Sequence, residues 1–116
     1  MRGDLKMTPA KMASQACHAS KNCALLAAQK NPELIRLYQG PKGLGTQIIL
    51  EAKNADALYN AHKLANEAGL ITSLIIDEHH IMPPYFDGSP ILTALGIGPC
   101  TKDQAHFITK KFSLLR

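Results

Sequence analysis

Lys11, Gln15 and His18 stand four and then three residues apart in the stretch "MTPAKMASQACHAS", residues 7 to 20. On a helix of about 3.6 residues per turn such positions fall within about 60° of one another, so an ammonium, a carboxamide and an imidazole share one face. Asp77 closes the apolar run "LITSLIID" (70–77) and opens a long loop. In sheets with parallel strands ligands gather at such carboxyl ends, where a carboxylate can orient or activate a water. The plain alternatives are a solvated stripe on an amphipathic helix and a loop-capping aspartate. His79 and His80 follow directly, but neighbours in an extended loop point apart and no further ligands are spaced for a shared metal, so none is expected. Thr93 lies inside an apolar strand, where by default it is a β-favouring residue facing a neighbour.

These groups need elements to hold them. Thr8 followed by Pro9 predicts a helix start, the hydroxyl capping the first free amides, and the helix should run from about 9 to 29. "NPELIRLY" restarts with Asn31 as cap and ends near Tyr38, and "QGPKGLGT" is a surface loop. "TQIILEAK" (46–53) reads as a strand. Asn54 caps a helix with Leu58, Ala61, Leu64, Ala65 and Ala68 on one apolar face, Asn60 and His62 toward water, and Gly69 as its stop. Strands follow at 70–77, apolar enough for burial on both faces, and at "ILTALGIGP" (91–99), separated by the loop "EHHIMPPYFDGSP". "TKDQ" (101–104) matches a capping box for a last helix to about Lys110. Strands with helices interposed give a three-layer α/β/α sandwich.

At 116 residues a single domain, 1–116, is expected, since two would each be too short to bury a core. Thirteen basic against nine acidic side chains leave a net +4, which permits nucleic-acid binding through phosphate contacts without demanding it. Scattered lysines such as Lys42, Lys53, Lys110 and Lys111 could supply those contacts. Cys17, Cys23 and Cys100 are odd in number and lack CxxC spacing, which argues against a disulfide framework or a zinc knuckle. No apolar run is long enough to span a bilayer and no signal-peptide core is visible, so the cytoplasm is the default location.

"DLKM", "AKMASQACHA", "EAGLITSLIID", "LTALGIGP" and "ITKKFSLLR" together resemble the type II peptidyl-tRNA hydrolases, in the family's order and at nearly its separations. In the family a GKGK(I/M)AAQxxHA run opens the first helix, and Lys11, Gln15 and His18 fall on its second lysine, its glutamine and its histidine. The resemblance implies a small mixed sheet, four-stranded in the family, and hydrolysis of the ester joining a peptide to the terminal ribose of tRNA. Peptidyl-tRNA is then the partner, and no metal or organic cofactor is implied. Lys11 and Asp77 match the proposed catalytic lysine and aspartate, and Thr93 matches the threonine opening the LGIGP strand. Lys11 would place positive charge at the developing oxyanion or a phosphate, and Asp77 would hold the water or the lysine. Gln15 would orient the ribose or the ester, His18 would pack or hydrogen-bond beneath the site, and Lys42 would meet the acceptor stem.

Two departures matter. Where the family reads DxGxTQ this chain has "DEHHIM", with His79 at the glycine position and Ile81 at the hydroxyl position, and Ser89, a histidine or nothing at all replaces that hydroxyl. The family's first apolar strand precedes DLKM, and here only "MRG" does, so either the numbered chain starts late in its reading frame or a homodimer partner supplies the missing edge. These departures carry a second reading: a noncatalytic relative that binds tRNA or a protein.

Overall fold

The computed structural model describes residues 1–41, 45–78, 81–82, 86–87 and 89–115. Helix α1 spans Pro9–Lys30, with the Thr8 hydroxyl accepting from the Lys11 amide at 3.1 Å, as the Thr-Pro start requires. It buries Gln15, Ala19, Cys23 and Ala27, a four-residue spacing that drifts slowly around the helix and lays its small side on the sheet. Helix α2 (Pro32–Gln39) packs against α1. Strand β1 is short, Leu50–Glu51. Helix α3 (Ala55–Glu67) starts where the Asn54 side chain accepts from the Ala57 amide at 2.9 Å. It ends at Gly69, whose φ of +77° is open to glycine at little cost.

Strand β2 (Thr72–Asp77) pairs antiparallel with β5 (Ile91–Ile97), and a small hairpin, β3 (Ile81–Met82) with β4 (Phe86–Asp87), lies between them in sequence. Helix α4 (Lys102–Thr109) carries the reciprocal capping box of Thr101 and Gln104, and β6 (Ser113–Leu114) pairs antiparallel with β1. Met1, Ala19, Ile75 and Ala94 form the core on the α1 side, with Met7 and Met12 against it. Leu58 and Leu92, then Ala61, Ala65 and Ile108, fill the opposite side beneath α3 and α4. The α/β/α layering is the one the sequence predicts.

Four details differ from the sequence reading. The strand expected over 46–53 is regular only at Leu50–Glu51, where it pairs with β6. The loop expected over 78–90 contains the β3–β4 hairpin, and β6 was not foreseen. His62 does not simply face water, since its Nδ1 lies 3.1 Å from the Thr72 hydroxyl and ties α3 to β2. Met1–Gly3 lies between the two halves of the sheet: the Arg2 amide donates to the Thr93 carbonyl, and Ala52 pairs with Arg2 in parallel. The sheet is therefore mixed. Among the described residues no helix is long and apolar enough to cross a membrane.

Candidate active site

Lys11 lies in the first turn of α1, and Asp77 is the last residue of β2. Their side chains meet as an ion pair, Lys11 Nζ to Asp77 Oδ2 2.5 Å, with the lysine side chain 23% exposed and the aspartate 12%. The sequence separates them by 66 positions, and packing α1 across β2 and β5 brings them together. A half-covered pair of this kind keeps a concentrated local field that water screens only in part. The amino end of α1 adds the partial positive charge of its free amides on the same side.

The wall behind this pair is built by a β-bulge. Ile75 pairs with Ala94 and Ile76 with Leu92, so Thr93 is the extra residue in β5. Strict alternation would send Thr93 and Ala94 to opposite faces. The bulge lets both face α1 and sends Leu92 to Leu58 on the other side. The Thr93 hydroxyl then donates to Gln15 Oε1 at 2.6 Å, with the Ile75 carbonyl oxygen 3.3 Å away. Both residues are buried, Gln15 at 3% exposure and Thr93 at 2%. A buried amide and hydroxyl that satisfy one another fix the helix on the strand one turn beyond Lys11.

From the other side Arg2 secures the same bulge. Its amide donates to the Thr93 carbonyl at 2.9 Å, and its guanidinium reaches the Leu92 carbonyl at 3.2 Å and the Asp4 carboxylate at 2.6 Å. The hydrogen bonds from Arg2 hold the Asp4 carboxyl below its ordinary range. Sequence reasoning missed this pair; its only signal is an arginine two residues from an aspartate in a short terminal segment.

The expected site residues separate into three groups. Lys11 and Asp77 come together, and Thr93 and Gln15 sit directly behind them. The Thr93 hydroxyl and the Gln15 carbonyl oxygen are buried and engaged with each other. His18 does not pack beneath the site: it is exposed, because it lies about 100° around the helix from Ala19, on the side away from the drifting buried stripe. Ser89 is exposed and lies two residues before Ile91, the partner of Asp77. Lys42 and His79 lie outside the described residues.

Of the thiols, Cys23 is buried against the sheet, and burial first, then the Cys100 thiol, pushes it up to about 11. Cys17 is exposed. Among the described residues no group of three or more His, Cys, Asp or Glu side chains is placed to hold a metal ion.

Comparison with known proteins places the chain among its relatives. The family model described as peptidyl-tRNA hydrolase PTH2 matches residues 1–115. A peptidyl-tRNA hydrolase of Methanococcus vannielii is 37% identical, over 99% of this chain and 94% of that protein. One from Methanothermobacter thermautotrophicus is 30% identical, over 99% and 95%. A probable peptidyl-tRNA hydrolase 2 of Dictyostelium discoideum is 30% identical over 98% of this chain, which spans 51% of that longer protein. With a lysine and an aspartate converging at the end of a sheet, and a family match that runs along nearly every residue, this chain belongs to the peptidyl-tRNA hydrolase PTH2 family.

Proposed function

We propose that this chain hydrolyses the ester between a peptide and the terminal ribose of tRNA, with Lys11 and Asp77 at the reacting group and Thr93 and Gln15 positioning them. The observation that carries the reading is the 2.5 Å ion pair at the meeting point of α1 and β2. An acyl ester is already activated, so its cleavage needs a positioned water and a countercharge for the carbonyl oxygen. Asp77 accepts a hydrogen bond from the water and takes its proton as the oxygen attacks the carbonyl carbon. The Lys11 ammonium turns toward the oxyanion that forms. When the tetrahedral species collapses, the ribose oxygen leaves with the proton that Asp77 returns to it, and the new carboxyl group of the peptide gives its remaining proton to solvent.

His18 lies about 10 Å along the helix from Lys11, and with Ser89 it is exposed to a substrate at this end. Lys53, Lys110 and Lys111 are exposed as well and are available to phosphate. Lys42 and His79 belong to the same proposal as contacts to tRNA. The substrate is a product of translation, which makes the cytoplasm the compartment of this reading.

The test is single-turnover release of an N-blocked aminoacyl group from tRNA, comparing the parent with Lys11→Ala and Asp77→Ala. Each variant should lose about 10²- to 10³-fold in rate while keeping its melting transition. A parent that shifts tRNA in a salt-sensitive way yet releases nothing would establish the noncatalytic reading instead.

A further inference from the structure

Strand β2 pairs on one side only. Among the described residues β5 is its neighbour in the sheet, and the β3–β4 hairpin that follows it pairs within itself. One bond decides which main-chain groups of β2 face outward. The Gly98 amide donates to the Ile71 carbonyl at 2.8 Å, so this opposed pair is hydrogen-bonded, and in antiparallel pairing every second pair is. Ile71, Ser73 and Ile75 therefore bond β5, and Thr72, Leu74 and Ile76 turn their amides and carbonyls to the outer side. The bulge adds its residue to β5 and not to β2, so this alternation runs on to the end of the strand at Asp77.

Helices flank this edge above and below. On the α3 side the Thr72 hydroxyl is tied to His62, and Leu74 packs toward Leu58. Ile76 faces the same way but is 49% exposed, and Tyr59, one turn from His62 on α3, is exposed to the same degree. On the α1 side Lys11 reaches β2, whereas Gln15, about 40° around the helix, meets β5. His18 lies about 20° beyond Lys11 in the same sense, so its exposed imidazole stands over the outer edge. Its level is that of Ser73, since the carbonyl of the next residue, Ala19, lies against Gly96, the partner of Ser73. No charge or proline interrupts residues 72–76, although these are the usual protections of an exposed edge.

We propose that the outer edge of β2 binds the peptide part of the substrate as an added parallel strand. The inference rests on the ester site proposed above, where connectivity fixes the occupant: the residue whose ester is cleaved at Lys11 and Asp77 carries the rest of its peptide with it, and the edge begins at Asp77. Direction follows. The carboxyl end of the peptide is at the ester and the carboxyl end of β2 is Asp77, so the two run parallel. In parallel pairing one residue bonds the two that flank its opposite number. With the esterified residue level with Asp77, the third residue from the ester donates to the Leu74 carbonyl and accepts from the Ile76 amide. The fifth donates to the Thr72 carbonyl and accepts from the Leu74 amide. The second and fourth turn their amides away from β2 and their side chains toward α3, the second beside Ile76. Main-chain pairing gives affinity that is indifferent to peptide sequence, with one apolar preference at the second residue.

The probe is an adenosine analogue that carries an acetylated peptide through an amide at its ribose in place of the ester, so that binding is read without cleavage. Conjugates of one, three and five alanines should bind with a gain of roughly tenfold at each step, and a seventh residue should add nothing. Amide resonances of Leu74 and Ile76 should shift with the five-residue conjugate, and those of Ser73 and Ile75, already bonded to β5, should move far less. N-methylation of the third residue should weaken binding by about tenfold, and N-methylation of the second should not. These changes lie in the ligand, so folding of the protein does not enter. Leucine at the second residue should bind about threefold more tightly than alanine, and Ile76→Ser should remove that gain while the dependence on length persists.

Equal affinity for the one- and five-residue conjugates, no binding of any conjugate, or equal weakening by N-methylation at the second and third residues would overturn the proposal. A concentration-dependent dimer that shields the Leu74 and Ile76 amides and that the conjugate does not dissociate would assign the edge to a second copy and overturn it equally. The two readings fail separately. A chain that releases nothing from tRNA yet binds the conjugates with this pattern of length and methylation loses the hydrolysis and keeps the edge. One that cleaves the ester while binding every conjugate alike keeps the hydrolysis and loses the edge.

Discussion

The two ends of the central sheet are built from the same strand, β5, yet they differ in what has been settled. At the end near Ile91, three N-terminal residues, a bulge at Thr93 and the buried Gln15 amide occupy every position, and the Lys11–Asp77 pair rests on that frame. At the end near Ile97, residues 46–49 form no regular strand among the described residues, although their sequence is as apolar and branched as that of β2. β-propensity is a fit to neighbours rather than a property of a segment alone, and the contrast between 46–49 and 72–77 shows it within one molecule. The end that carries the Lys11–Asp77 pair is braced by Arg2, whose amide and guanidinium bond the Thr93 and Leu92 carbonyls.

The contrast should be sharpest in hydrogen exchange. The amides by which β2 and β5 bond one another are expected to exchange on the order of 10³-fold more slowly than those of Thr46–Ile48, which have no backbone partner among the described residues. Equal protection at both ends would break the comparison. Next in size is the loss of about 10²- to 10³-fold in single-turnover hydrolysis for Lys11→Ala and Asp77→Ala, with exchange of the Thr46–Ile48 amides unchanged.

Thr93→Val removes the hydroxyl that satisfies Gln15 and should cost about 1–3 kcal/mol in denaturant unfolding, with a lower rate of hydrolysis. Thr93→Val combined with Gln15→Leu should cost less than the sum of the two, since neither then leaves a buried polar group unpaired. Thr93→Ser should restore most of the rate. The smallest effect is alkaline. The Cys23 thiol rises from 9.0 to about 11 on folding, so the unfolded chain releases this proton first. Its contribution to stability is complete below about pH 9 and is lost as pH climbs toward 11, and the same titration of Cys23→Ala should lack that component.

Most of the helices were legible because their signals are local. Thr8-Pro9, Asn54 and the Thr101–Gln104 box each act through hydrogen bonds closed within four residues, and the structure shows all three. The shared face of Lys11 and Gln15 follows from helix geometry alone. Burial of Gln15 was not legible, since an amide on a polar stripe reads as solvent-facing until a partner hydroxyl is known. The bulge was not legible either, because nothing in "ILTALGI" marks which residue is extra. Arg2 passed unnoticed for a similar reason: its role is to bond backbone ninety residues away.

By itself the sequence determined where helices begin and end, which stripe of α1 is small enough to lie on a sheet, and which residue types are available for chemistry. Those depend on bonds and periodicities spanning a few residues. Tertiary structure alone decided that Lys11 meets Asp77, that Thr93 turns toward Gln15, and that Thr46–Ile49 stay outside any regular strand. Each depends on what stands beside the segment in space, and a strand's pairing and facing are set by neighbours distant in the chain.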